Sequence, residues 1–243
     1  MRPGCAIGLA GLVPAAAALL TAAPAFAQGW QCRPPVTLPR SEAAPRASNE
    51  PVRRVALGGY TLALIWSPEY CRLRQSSARD ALQCSAARIG DFGFTLHGLW
   101  PEGRGQALWP QYCRSVDAVP PKTLRANICR TPSVSLMNHE WARHGSCMTR
   151  TPGAYFRASR VLFDALIFPD MDRLSRSEPT AAAVRGAIAD ANPGLAADAV
   201  RLQLNERGWL TEVRLCLGLK FRAAACPTRS LKDETPVKIW RGG

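Results

Sequence analysis

All three histidines of the 243-residue chain, His97, His139 and His144, fall within two short segments, FTLHGLWP (residues 94–101) and NHEWARHGSC (residues 138–147). Imidazole, with an unperturbed pKa of about 6.5, both takes and gives a proton near neutrality, so histidines gathered this way suit general acid-base catalysis. Residues 136–148 hold no proline and only one glycine, Gly145, near their end, which predicts a helix. At ~100° per residue, His139, Glu140, Arg143 and His144 then share an arc of about 140°. One face would carry two imidazoles, a carboxylate and a guanidinium. That set suits a phosphate ester, whose transition state needs proton transfer and charge stabilisation together. A zinc site is the first competing reading, because His-Glu-x-x-x-His is close to the zincin helix pattern. That pattern needs its histidines at i and i+4, however, and a spacing of i to i+5 turns the rings ~140° apart. The second is a structural cluster of satisfied, partly buried histidines. The concentration of every histidine beside Glu140 and Arg143 weighs against it.

The elements that must position these residues are short. The apolar run YTLALIW (residues 60–66) fits a buried strand and leads into SPEYC (residues 67–71), a turn with a cysteine anchor. A polar loop follows over residues 72–90. Residues 92–96 alternate as a strand that delivers His97 at its end, where Gly98 allows a sharp turn and the close approach of a ligand. Trp100, Trp109 and Tyr112 come next, in a Gly- and Pro-containing loop that also carries Glu102 and Arg104. Clustered aromatics are either core plugs or stacking platforms for nucleobases, worth ~1–3 kcal/mol per base. Both readings stay open for Trp100 and Trp109, while packing suits Tyr112 better. Helices are expected over residues 120–130, 151–168 and 179–191. Residues 200–204 and 209–219 alternate as an antiparallel pair, and residues 237–240 add an edge strand. Without a regular strand-helix repeat, the class is α+β: a central antiparallel sheet flanked by helices in a single, disulfide-stabilised domain.

Residues 1–27 read as a signal peptide, with Arg2 as a thin basic region, an apolar run and a small-residue cleavage site at Ala25-Phe26-Ala27. Residues 28–54 form a Pro/Arg-rich N-terminal extension, tethered rather than packed, whose Arg-rich ends are solvated. Residues 55–243 hold the catalytic domain. No later apolar run approaches a membrane span, so the chain reads as exported, to the periplasm or the medium. Cys32, Cys71, Cys84, Cys113, Cys129, Cys147, Cys216 and Cys226 remain after the signal, an even number that argues for up to four disulfides. Net charge is +13, and only Lys122, Lys220, Lys232 and Lys238 are lysines among the 31 basic residues. Such an excess favours an anionic partner, nucleic acid above all, and makes binding salt-dependent.

The two histidine segments resemble the two active-site segments of the ribonuclease T2 family, in the family's order. Weaker likeness reaches outward through IWSPEYC, WPQYC and EVRLC, covering most of residues 55–226. The resemblance implies an exported endoribonuclease that cleaves RNA through a 2′,3′-cyclic phosphate, with no metal or cofactor, acting as a monomer. It implies that His144 draws the proton from the ribose 2′-hydroxyl, His97 protonates the departing 5′-oxygen, His139 holds the phosphate, and Glu140 with Arg143 stabilises the transition state. Trp100, Trp109 and Glu102 match positions that contact the base in some members. The chain departs from the family at Arg143, where Lys is usual, and at Ser146, where Thr is usual. Arg keeps the charge, but it is not interchangeable with Lys at a tight site. The resemblance also implies a Cys113–Cys147 disulfide. Neighbouring cysteines then pair as Cys71–Cys84 and Cys216–Cys226, leaving Cys32 for Cys129. A catalytically silent RNA binder is the remaining rival, and it would need a missing acid-base residue.

Overall fold

In the computed structural model, which describes residues 31–105, 108–228 and 231–242, the apolar run near residue 60 is one of the two inner strands of a four-stranded antiparallel sheet. Strand β1 (Leu57–Trp66) lies between β2 (Phe94–Gly103) and β4 (Leu210–Leu217), and β3 (Val200–Leu204) forms the far edge, giving the order β2-β1-β4-β3. Leu62, Leu64 and Trp66 enter the main core with Phe94, Leu96 and Leu99 of β2 and with Val213 and Leu215 of β4. Thr61, Ala63 and Ile65 point the other way and are also buried. A strand covered on both faces reads as a continuous apolar run rather than as an alternation, which is why its signal in the sequence is strong. The expected signal peptide over residues 1–27 lies outside the described residues.

Strand β2 does not stop at His97. Ala63 pairs with Gly98 and Leu64 with Leu96, so His97 is the extra residue of a bulge and the strand continues to Gly103. One added residue shifts the inside-outside alternation by one position. Leu96 and Leu99, three apart, therefore both reach the core, while Gly98 and Trp100 share the face of their partners Ala63 and Thr61. Trp100 and Glu102 are consequently strand residues, not loop residues.

The helices cover the core face and the β2 edge. SPEYC is the helical turn α1 (Ser67–Cys71), started by Pro68, rather than an open turn. The stretch expected to be a loop contains a 3₁₀ turn (Ala78–Asp80) and α2 (Ala81–Cys84). Next come α3 (Pro121–Asn127) and α4 (Val134–Glu140), which the Ser133 hydroxyl caps by accepting from the Leu136 N–H at 3.2 Å. Helix α4 passes into a π turn (Trp141–Gly145) and ends as α5 (Ser146–Met148). Helices α6 (Pro152–Asp164), α7 (Met171–Arg176) and α8 (Ala181–Asp190) complete the layer, α7 being absent from the sequence reading. Residues 237–240 make no edge strand. Val237 donates to Pro179, whereas Lys238 exchanges bonds with Gly208 and Leu210, so the segment is split between two neighbours and builds no ladder.

Four disulfides join Cys32 to Cys129, Cys71 to Cys84, Cys113 to Cys147 and Cys216 to Cys226. Residues 31–54 contain no helix or strand, only an isolated antiparallel bridge from Arg53 to Gln111. They are nonetheless held down. Ser41 donates to Val119 O at 2.8 Å, Arg53 Nε to Trp109 O at 2.9 Å and Arg54 Nε to Cys113 O at 2.7 Å, so Arg53 and Arg54 serve as clamps, while Arg33, Arg40, Arg46 and Arg54 are exposed as expected.

Candidate active site

The bulge in β2 and the π turn after α4 bring the two histidine segments together. A π turn takes more residues per revolution than an α-helix and frequently marks a functional site. Here the Ser146 N–H reaches back five residues to Trp141 O, which reduces the ~140° that α geometry would put between His139 and His144. Gly98 is what lets the strand and the helix touch. A Cβ there would lie 1.9 Å from Glu140 Oε2 and 2.8 Å from Trp100 Nε1.

His97 and His144 flank Trp100 in opposite environments. The His97 ring meets the Trp100 indole edge-on at 5.0 Å, and the His144 ring stacks on it at 5.5 Å. His97 Nδ1 is 2.6 Å from Glu212 Oε1, and its Nε2 is 3.6 Å from Glu140 Oε1. Burial disfavours the His97 imidazolium, but the bond to Glu212 and the charge of Glu140 outweigh it, and its pKa is raised. His144 is only 6 % exposed, and its Nδ1 is buried without a hydrogen-bond partner among the described residues. Burial, with Arg143 and the other histidines nearby, drives its pKa well below the ordinary value. The two imidazoles are thus shifted in opposite directions, His97 toward holding its proton and His144 toward the neutral form.

Glu140, 1 % exposed, is pushed up to about 7 by burial, although His97 and the Trp100 indole N–H, which donates to Oε2 at 2.7 Å, favour its ionised form. His139 is half-buried, and burial followed by the charge of Arg143 lowers its pKa. Arg143 gives Nη1 to Glu50 Oε1 at 2.6 Å and Nη2 to Gln111 Oε1 at 3.2 Å, while its Nε is buried and unpaired among the described residues. His97 and His139 line one cleft of about 1170 Å³ together with Glu212 and Arg214.

The base-contact candidates are more dispersed. Trp100 is enclosed by His97, His144 and the Arg214 guanidinium, 4.9 Å from its ring, so its faces are already in use. Trp109 is 40 % exposed, carries Arg53 over its ring at 4.6 Å and donates to Gln111 Oε1. Glu102 lies two residues beyond Trp100 on the same strand face and accepts from Thr61 Oγ1 at 2.6 Å. Glu212 is the residue that sequence reasoning missed. Its signal is faint, an acid at an outward position of the EVRLC strand, 115 residues from the histidine it contacts. Among the described residues, no group of three or more His, Cys, Asp or Glu side chains is arranged to hold a metal ion.

A bulged antiparallel sheet carrying one histidine, packed on a π-interrupted helix carrying two more with a carboxylate and a guanidinium, defines a class of disulfide-linked α+β protein with a histidine cluster at the sheet–helix junction. The chain belongs to the ribonuclease T2 family, whose model matches residues 58–217. It is 31 % identical over 180 residues to a probable ribonuclease of Haemophilus influenzae, covering 70 % of this chain and 61 % of that one. It thus spans about three fifths of that relative's length, and 36 % of the length of an Aeromonas hydrophila ribonuclease to which it is 38 % identical over 88 residues. The fold is that of an RNase-related protein from Calystegia sepium (TM-score 0.59, 21 % identity, 75 % of this chain and 96 % of that one). It is likewise that of RNase NT, solved in complex with 5′-AMP (TM-score 0.56, 20 % identity, 76 % and 98 %).

Proposed function

We propose that this chain is an endoribonuclease that cleaves single-stranded RNA by transphosphorylation, without a metal or cofactor. The observation that carries this reading is the placing of His97 and His144 on either side of Trp100, His97 with its Nδ1 on Glu212 and His144 buried with its Nδ1 unpaired among the described residues. Neutral His144 takes the proton of the ribose 2′-hydroxyl. The 2′-oxygen then forms a bond to phosphorus as the bond from phosphorus to the 5′-oxygen breaks, and His97, protonated and held by Glu212, gives its proton to that oxygen. The product carries a 2′,3′-cyclic phosphate, which water opens to a 3′-phosphate with the two histidines exchanging roles. His139 and Arg143 hold the phosphate, Arg143 balances the negative charge of the crowded phosphorus centre, and Glu140, pushed up to about 7 by burial, supports it in its protonated form as a hydrogen-bond donor. The nucleophile is part of the substrate, so positioning and proton transfer suffice. Trp109 and Glu102 are candidates for base contacts, and Trp100 is better supported as the spacer between the histidines. Four disulfides, with no helix among the described residues long and apolar enough to cross a membrane, support an exported protein, which we read as a monomer.

The test is incubation of the oxidised protein with a short RNA and the matching DNA in EDTA, with product ends identified by mass. RNA fragments ending in cyclic phosphate, with the DNA intact, are expected, because DNA lacks the 2′-hydroxyl. His97→Ala and His144→Ala should each lower turnover by at least ~10²-fold with little change in RNA binding. A near-wild-type rate in either variant would remove that histidine from the mechanism.

A further inference from the structure

The family match begins at residue 58, yet the segment before it reaches into the site. Residues 50–54 lie along the loop that ends at Cys113. Gln111 Nε2 donates to Pro51 O at 2.8 Å, and the backbones of Arg53 and Gln111 exchange two bonds at 3.0 Å. That loop is fastened to the catalytic helix by Tyr112 N–H donating to Arg143 O at 2.8 Å and by the Cys113–Cys147 disulfide. Tyr112 adopts φ 50°, a left-handed conformation that a bulky residue rarely takes unless its surroundings enforce it. At the head of this strap, both carboxylate oxygens of Glu50 are engaged. Oε1 is 2.6 Å from Arg143 Nη1, and Oε2 accepts from the Tyr112 hydroxyl at 2.7 Å.

We propose that Glu50 is an internal anion on Arg143, so that a phosphate entering the site must displace or share it, and that Glu50 thereby sets the affinity of the phosphate subsite. The inference rests on the reading of Arg143 and His139 as phosphate ligands. Three observations carry it. A guanidinium with a carboxylate 2.6 Å from it presents a dipole to an incoming anion rather than a full charge, and the nearby Glu140 carboxyl adds to that neutralisation. The pair is reachable, the Arg143 and Glu50 side chains being 26 % and 23 % exposed, unlike a buried structural ion pair that no ligand can enter. Finally, the two terminal nitrogens of Arg143 hold the strap and the loop, one on Glu50 and the other on Gln111, while Nε keeps a donor unpaired among the described residues. A lysine, with its single point of charge, could not make both contacts in that fixed plane, which gives the arginine at this position a physical reason. The tyrosine keeps the carboxylate in place. Burial and the bond to Glu50 push its hydroxyl up to about 12, so it remains a donor throughout the working range. Glu50 is itself held in its ionised form by the Tyr112 bond and by Arg143 and His139.

The experiment is calorimetric titration of inorganic phosphate and of adenosine 3′-monophosphate into the full oxidised chain at fixed, low ionic strength. Wild type is compared with Glu50→Gln, Tyr112→Phe and the double variant Glu50→Gln/Arg143→Ala. Glu50→Gln should lower both dissociation constants by at least ~5-fold. Tyr112→Phe, which removes one of the two anchors of the carboxylate, should lower them by about 2-fold. In the double variant the gain should vanish, because it acts through Arg143 and not through net charge. Unchanged or weakened binding in Glu50→Gln would make Glu50 a prop for Arg143 and overturn the proposal, as would a gain that persists without Arg143. Should Glu50→Gln not fold, Tyr112→Phe decides by the same readout. RNA cleavage measured on the same samples separates the two readings. Wild-type cleavage with no change in phosphate affinity sinks the strap alone, whereas tighter phosphate binding in a chain that cleaves no RNA sinks the nuclease reading and leaves the strap.

Discussion

His97 owes its raised pKa to a carboxylate from a strand that is not adjacent to its own. Strand β1 lies between them, and from its place at the bulge His97 brings Nδ1 to 2.6 Å from Glu212 Oε1. Glu212 also accepts two bonds from Arg214, at 2.9 and 2.7 Å, so its position is fixed from both sides. Burial alone would raise the Glu212 pKa, yet the His97 bond and the two positive neighbours lower it, and it is therefore the acceptor and His97 the donor. Glu212→Gln keeps the shape and removes the charge. The sign follows from the raised His97 pKa: the acid form survives to higher pH because of Glu212, so losing the carboxylate should move the alkaline limb of the activity profile to lower pH. At neutral pH, turnover should fall by about 10-fold or more. A pH-rate profile of the variant that overlies the wild type would show that Glu212 does not tune His97. The histidines, Glu140 and Arg143 were legible in the sequence because they lie close together along the chain and side-chain chemistry needs no fold to be recognised. Glu212 and Glu50 were not, since each acts across a long separation that no local spacing records.

Among the elements, the strand run YTLALIW and the antiparallel pair at the C-terminal end were readable because burial imposes a pattern on them. The two irregularities that build the site were not. A bulge and a π turn each add one residue to a regular element, and apolar periodicity is blind to single insertions. Both are held by tertiary contacts. At the bulge, the Tyr155 hydroxyl from α6 accepts from the Leu99 N–H and donates to the Leu99 carbonyl, each at 3.2 Å, in a fully buried setting. At the π turn, a Cβ on Gly145 would approach Trp141 to 2.4 Å and Tyr155 to 2.8 Å, so the same tyrosine packs against both insertions. Tyr155→Phe leaves two buried backbone groups without partners and should lower stability by ~1–3 kcal/mol, read from denaturant midpoints at unchanged slope. Leu99 lies two residues from His97, so turnover should fall more than unfolding alone explains at temperatures where the variant is folded. Full turnover in a destabilised variant would mean that Tyr155 supports the core without shaping the bulge.

Across the whole molecule, the arginine excess takes on a location. The cleft that His97 and His139 line is also lined by Arg74, Arg79 and Arg207 and, from the N-terminal extension, by Pro39, Arg40 and residues 42–45, and the part bearing the three arginines is its arginine wall. Arg79 and Arg207 are exposed, so they add little to stability while remaining free to meet a phosphate backbone. A single strand crossing from the histidines along this wall would release counterions at each phosphate it meets, with a slope of about 0.7 per contact in log K against log salt. A 2′-deoxy oligonucleotide, which on the proposed mechanism cannot be cut, reports that binding directly. Arg79→Ala/Arg207→Ala should reduce the salt slope by roughly 1.4 if both residues contact phosphates. Cleavage of a dinucleotide, too short to reach the wall, should be unchanged. A slope that stays the same would confine the substrate to the histidine end of the cleft and leave these arginines as general surface charge. A dinucleotide rate that falls as well would mean instead that the wall helps to shape the catalytic groups.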